Sequence, residues 1–380
     1  MRLVYLSDSP LPSREANGFH VMRMCRAFAS QGHDVTLIGQ NCPVFDEPGV
    51  EDIFSFYGVA PDFALERIRR RTFRGWGLLY GWQAAWRARR LRPDLVYARN
   101  LWGAFWTSLF GIPTVFEAHT LKFLHQPFHR RISLAMLRRS SLVRLVVISG
   151  ALREDTLAAL PESLRGRFAE TLLVAHDGAD PQPPGEDEGP APVDGPGLFR
   201  VGYCGSLYPG KGAELLPALA TACPWADFLL IGGSEEALAD YRQNHRLPPN
   251  LHLKGFLPQP EALRLCQQCD VLLAPLQPTI EVAEKGLNIA RWTSPLKIFE
   301  YMACGKAILC SDLPVLREIL TEDETALFLP PSDPGAWSRA LQVLADDAER
   351  RERLGREARR VLEEHYTWAA RARQVISGLA

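Results

Sequence analysis

The chain has 380 residues, about twice the length that one hydrophobic core usually organises, so a single small module is excluded and two domains of ordinary size are expected. With 47% hydrophobic and 23% charged residues, it is neither a disordered chain nor a membrane-embedded one. The net charge of -1 hides an asymmetry: residues 1–180 hold 23 Lys and Arg against 17 Asp and Glu, the remainder 20 against 27, so the two halves face different partners.

The first eight residues turn polar by Ser7, leaving no room for a signal-peptide core, and no segment offers the roughly 18 uninterrupted apolar residues of a spanning helix. A cytoplasmic location is expected. Residues 3–8 (LVYLSD) read as a strand, followed by a loop ending at Gly18, a helical stripe of Val21, Met24, Cys25 and Phe28, and a strand at 34–39 (DVTLIG). Residues 67–92 hold nine Arg and no acid, interleaved with Trp76, Leu78, Leu79, Tyr80, Trp82 and Trp86. Such a stretch can lie on an anionic bilayer, Arg69, Arg70 and Arg71 meeting headgroups while Trp76 and Trp82 insert at headgroup depth. It can equally be a helix that packs its aromatics inward beneath a solvated Arg face. Nucleic acid is not an expected partner, because no basic surface continues elsewhere.

Apolar runs at 94–98, 114–118 and 145–149 complete the first half, and residues 181–197, rich in Pro and Gly without an apolar period, read as a linker. The second half repeats the opening: a strand (RVGYCG, 200–205), a Gly-containing loop, an amphipathic stretch, and a strand (DFLLIGG, 227–233). Runs at 251–255, 270–276 and 306–312 follow, then a long surface helix over 337–365 and a last helix after Tyr366. Strands alternating with helices predict parallel sheets covered on both faces: two tandem Rossmann-like doubly wound α/β domains, with the site expected in the cleft between them. The boundaries are 1–180 joined by the helix 366–380, the linker 181–197, and 198–365. The eight Cys suggest buried thiols, the lone pair Cys266 and Cys269 included, and no metal site is expected.

Two segments carry chemistry. Gly205 to Gly212 (GSLYPGKG) matches a phosphate-binding loop up to its last position, where Gly212 stands in place of the Ser or Thr that would hold Mg²⁺. Glycines let the backbone approach an anion, the next helix points its N–H groups at it, and Lys211 adds a full charge. A glycine-shaped turn with a solvated Lys is the plainer alternative. In Thr293-Ser294-Pro295-Leu296-Lys297-Ile298-Phe299-Glu300, a helix start with Pro in its first turn places Lys297 and Glu300 on one face. They are either an exposed ion pair, or Glu300 accepts ribose hydroxyls while Lys297 faces a phosphate.

With these segments in view, the chain resembles the GT-B glycosyltransferases of family 4, which use nucleotide-activated sugars and retain anomeric configuration. The resemblance runs from Glu15 to His20 and Ala27 to Val35, through Phe116-Glu117-Ala118-His119, Val147-Ile148-Ser149 and Val174 to Asp180, to the loop and helix just described. It implies that Lys211 and the following helix start neutralise the donor diphosphate in place of a metal ion, with Ser206, Gly210 and Gly212 shaping the loop. It implies that Glu300 holds the ribose, Thr293, Ser294, Pro295, Leu296 and Lys297 lining the donor beside it, that Gly18 meets the diphosphate, and that His119 sits beside the sugar. Two positions depart from the family: Trp292 replaces an acidic residue, and Ser206 an Arg that Lys297 stands in for. The implied reaction is a front-face displacement in which the leaving diphosphate takes the acceptor proton.

The expected function is transfer from a UDP- or GDP-sugar to a glycan or lipid-linked acceptor in bacterial surface polysaccharide or glycolipid assembly, without metal or other cofactor. A GT-B nucleotide-sugar epimerase and a non-catalytic nucleotide-sugar-binding partner are the alternatives.

Overall fold

The computed structural model describes residues 1–42, 46–183, 199–280 and 288–379. The chain divides into two compact units, Met1–Asp177 with Trp368–Ala380, and Gly178–Thr367. All but the first three residues of the proposed linker lie outside the described residues.

In the first unit the strands are β1 (Arg2–Pro10), β2 (Asp34–Asn41), β3 (Ala64–Arg69), β4 (Leu95–Ala98), β5 (Thr114–Ala118), β6 (Leu142–Val147) and β7 (Leu172–Val174). They form one parallel sheet in the order β3-β2-β1-β4-β5-β6-β7. Central β1 and β4 are near-continuous apolar runs because helices cover both faces, whereas edge strand β3 is mostly exposed. The order reverses between β1 and β4, and sheets of this kind commonly bind ligands outside the C-terminal strand ends at such a point.

The second unit holds β8 (Phe199–Cys204), β9 (Ala226–Ile231), β10 (Leu251–Gly255), β11 (Val271–Ala274), β12 (Ala307–Ser311) and β13 (Leu327–Leu329), parallel and in the order β10-β9-β8-β11-β12-β13. Its reversal lies between β8 and β11. Both units are thus Rossmann-like, as the alternating pattern predicts.

Three expectations change at the level of elements. The basic stretch from Arg67 is not one segment: Arg67, Ile68 and Arg69 end β3, paired with Gly39, Gln40 and Asn41 of β2. The long helix over 337–365 is two, Pro334–Asp346 and Ala348–His365, parted at Asp347, whose side chain accepts a hydrogen bond from Arg350 N and caps the second. The helix after Pro295 spans Leu296–Cys304, with Pro295 just outside it as the cap in an extended conformation.

Candidate active site

At the C-terminal end of the first unit's sheet, Glu117 of β5 and His119 of the loop that follows dominate. Glu117 is fully buried, and its carboxylate accepts from Tyr97 of β4 and, at 2.9 Å, from Arg371 Nη2 of the helix Trp368–Ile376. His119 Nε2 lies 2.5 Å from Glu117 Oε1 and His119 Nδ1 lies 3.2 Å from Arg99 Nη2, so both ring nitrogens are engaged. On the other side of Glu117, His20 Nε2 stands 3.1 Å from Oε1 without a hydrogen bond's geometry, and His20 Nδ1 is 2.8 Å from Asp177 Oδ1. Burial alone would raise the Glu117 carboxyl, but the charges of Arg371 and His20 outweigh it and hold the group well below the usual range. Burial, and then the charge of Arg99, push His119 down to about 4, so its ring is neutral at ordinary pH.

His20, Glu117 and His119 bring three ligand-type atoms within 4.8 Å of one another. The group does not suit a cation. Arg371 at 2.9 Å and Arg99 at 3.8 Å already meet the Glu117 charge, and a metal on His119 Nε2 would leave Nδ1 protonated against a guanidinium that can only donate.

Arg99 also reaches the segment expected to meet the diphosphate, through Nη2 to Asn17 Oδ1 at 3.0 Å. Gly18, expected in a loop, lies in the first turn of the helix Ala16–Ala29 and is buried. A Cβ there would stand 2.4 Å from Tyr57 Oη, which itself bonds Ser13 N and O, so packing against Tyr57 is what demands glycine.

In the second unit the loop after β8 lies across the reversal point. A Cβ on Gly210 would meet Thr279 O at 2.0 Å and one on Gly212 would meet Pro275 O at 2.1 Å, both with positive φ, so these glycines let the loop pack onto the segment after β11. The Tyr203 hydroxyl donates to Ser206 O at 2.8 Å and lies 3.2 Å from Lys211 O, tying the loop's two ends. After Gly212 comes a 3₁₀ turn, Ala213–Leu215, and then the short helix Leu216–Ala222, not the single helix expected.

The helix Leu296–Cys304 is registered to that loop by Tyr301, whose hydroxyl accepts from Cys204 N at 2.8 Å and donates to Leu273 O at 3.1 Å. This places Lys297 Nζ 3.9 Å above the Tyr203 ring and next to Gly205, buried and, among the described residues, without a hydrogen-bond partner. Burial, and then the charge of Lys211, lower it to about 7. It is therefore not half of an exposed ion pair. Glu300 is half-buried, and Gln259 Nε2 donates to its Oε1 at 2.6 Å. Thr293 and Ser294 are buried at the helix start, with Pro295 and Leu296 beside them.

The basic stretch is split. Arg69, Arg70 and Arg71 are exposed. Trp76 is 7% exposed and touches Phe73 and Tyr80, so it is a core aromatic, not a ring at headgroup depth, whereas Trp82 is 43% exposed and Trp86 46%.

Arg99, Arg371, Gln259 and Tyr203 carried no signal in the sequence, and His20 and Asp177 lie within the segments of resemblance without a role assigned to them. One signal was readable: an acid inside the otherwise apolar strand TVFEA must be buried, and a buried charge needs a partner.

Residues 18–164 match the model of Glycosyltransferase Family 4, and residues 212–377 match a model described as glycosyl transferase-like. Among solved structures, Anabaena HepE in complex with UDP-glucose is 15% identical, with a TM-score of 0.70 over 100% of this chain and 99% of that one. Sucrose-phosphate synthase from Thermosynechococcus elongatus is 18% identical, with a TM-score of 0.68 over 98% and 97%. S. aureus TarM, solved with UDP among its ligands, is 10% identical with a TM-score of 0.67 over 100% of both chains. No curated protein matches the sequence. The fold and the two matched halves define a GT-B glycosyltransferase. The chain belongs to the family 4-like glycosyltransferases, and it is a transferase.

Proposed function

We propose that this glycosyltransferase takes its sugar from a nucleoside diphosphate donor, UDP- or GDP-linked, and passes it with retention to a glycan or lipid-linked acceptor in the assembly of bacterial surface polysaccharide or glycolipid. The observation that carries the donor is Lys297: a buried ammonium group with no hydrogen-bond partner among the described residues, beside Lys211 and a loop fixed at both ends, is a site built for an anion. HepE and TarM, both solved with UDP, support the same reading. Ser206, Gly210 and Gly212 shape the loop, Lys211 and Lys297 neutralise the diphosphate without a metal ion, and Glu300, its Oε1 accepting from Gln259, is the carboxylate for the ribose. Thr293, Ser294, Pro295 and Leu296 set the start of the helix that bears these groups. Gly18 keeps the first turn of its helix close-packed, and His119 stands on the sugar side.

In the reaction the bond from the anomeric carbon to the phosphate oxygen breaks, the bond to the acceptor oxygen forms on the same face, and the acceptor proton passes to the leaving phosphate oxygen. Charge stabilisation at the diphosphate then supplies most of the acceleration. The exposed Arg69, Arg70, Arg71, Trp82 and Trp86 support a peripheral contact with an anionic membrane on the cytoplasmic side, where a lipid-linked acceptor would be met. Among the described residues no helix is long and apolar enough to cross a membrane.

A panel of UDP- and GDP-sugars tests the reading, with nucleotide release and product anomer followed by NMR, with and without EDTA. Release with a retained anomer, within about twofold in EDTA, is the expected result. Chelator abolition with Mg²⁺ rescue would overturn the metal-free account, an epimerised free sugar would indicate the epimerase, and tight binding with no release would leave only a binding partner.

A further inference from the structure

Glu117 is the centre of a buried network whose outer members have no assigned role. Its Oε2 is held by Arg371 and Tyr97, and its Oε1 faces both His119 Nε2 and His20 Nε2. Arg371 is itself fixed, 2% exposed, by His176 O at 2.8 Å and Ala175 O at 3.2 Å, and His20 by Asp177 at 2.8 Å and the edge of Trp368. A carboxylate can only accept and a guanidinium can only donate. Between Glu117 and Arg99 the His119 ring therefore has one proton pattern, with the proton on Nε2 and a lone pair on Nδ1.

We propose that Asp177, His20 and Arg371 are positioning residues that hold Glu117 as a fixed carboxylate and thereby lock His119 in the Nε2–H tautomer, its Nδ1 committed to Arg99 and its ring held in one orientation toward the sugar. The last clause rests on the reading of His119 as a sugar-side residue; the tautomer lock does not. The neutral state of the ring, which follows from burial and the charge of Arg99, agrees with it. The chain spends a buried acid, a buried guanidinium from its last helix and a second histidine around a residue only 23% exposed, and each removes one degree of freedom from it.

The test uses the full chain labelled with ¹⁵N-histidine, so that ring nitrogen shifts report the tautomer directly, alongside turnover of the donor selected by the panel. Wild type should show His119 with a protonated Nε2 and a bare Nδ1. Asp177→Asn and His20→Gln should move that signature toward a mixture and lower kcat about tenfold, with KM for the donor within twofold. Arg371→Lys should restore part of what Arg371→Met loses. Thermal melting separates these effects from unfolding, and Asp177→Asn, which keeps shape and one acceptor, remains informative if Arg371→Met does not fold. An unchanged His119 signature in folded Asp177→Asn and His20→Gln overturns the lock. A shifted signature with unchanged turnover upholds the lock and overturns the sugar-side role of His119.

Discussion

Lys211 and Lys297 are two cations that the second unit keeps close together, and they give opposite tests of one site. Lys211→Ala should weaken UDP or GDP binding by about 1.5 to 3 kcal/mol, the worth of a charge-assisted hydrogen bond, without loss of fold. Calorimetric titration decides it, and an unchanged Kd for both nucleotides would remove Lys211 from the site. Lys297 makes a pH prediction. Its ammonium deprotonates near 7 in the folded protein and at its ordinary 10.5 in the unfolded chain. The unfolded chain therefore holds the extra proton between those values, and stability rises as pH climbs from about 7 toward 10.5; below 7 the cost of burying the charge is fully present. A bound diphosphate favours the ammonium, so above pH 7 binding takes up a proton and UDP affinity falls by up to about tenfold per pH unit. Titration at pH 8 in buffers of different ionisation enthalpy should show uptake approaching one proton; none would sink the assignment. The spacing of Lys297 and Glu300 on one helix was readable in the sequence. The Nζ burial was not, because it depends on Tyr203 and Gly205, more than ninety positions away.

At the scale of elements, the helix Trp76–Leu91 carries bulk on both sides: Trp76 and Tyr80 are buried near its start, but Trp82 and Trp86 face outward. Gly81, Ala84, Ala85 and Ala88 face inward, and a Cβ on Gly81 would stand 2.4 Å from Trp102 Cβ, so the small residues serve a close helix contact. Leu78, Trp82, Trp86 and Arg90, four apart, form the exposed ridge, with the Arg90 guanidinium 4.7 Å from the Trp86 ring centre. Large rings facing water beside Arg suit a headgroup layer. The protein should cosediment with anionic vesicles at low salt and release substantially at high salt, each Arg near the surface contributing about 1 kcal/mol. Changing Arg69, Arg70 and Arg71 together to Glu should abolish the association, while Trp82→Gln with Trp86→Gln should remove the part that salt leaves. Equal partitioning onto neutral and anionic vesicles would refute it. The sequence held both readings of this stretch because period alone cannot say which side of a helix meets the core. Short strands were the elements missed: β7 and β13 have three residues each and offer no pattern, and β3 was hidden by its charges.

For the whole molecule, alternating strands and helices were enough to reveal two doubly wound units, since only parallel sheets buried on both faces produce such runs. What no local pattern could reveal is that the last helix completes the first unit's charge balance, because Arg371 and Glu117 lie 254 positions apart. Removing residues 368–380 should leave Glu117 buried without its guanidinium, a loss of about 3 to 5 kcal/mol to the first unit alone. Calorimetry of that truncation should show one transition displaced downward or absent while the second unit's stays within a few degrees. A uniform shift of both, or no shift, would contradict the assignment of the helix to the first unit.

The same discontinuity orders events during synthesis. About 190 residues separate Asp177 from Trp368, which at ribosomal speed is roughly 10 to 40 s of elongation. Throughout that interval the nascent first unit carries Glu117 in its interior without the guanidinium that bonds it at 2.9 Å, only Arg99 standing 3.8 Å away, while the second unit, contiguous in the chain, can already fold. The first unit is thus completed only after the whole of the second has been synthesised, and the helix Trp368–Ile376 acts as the latch that closes it.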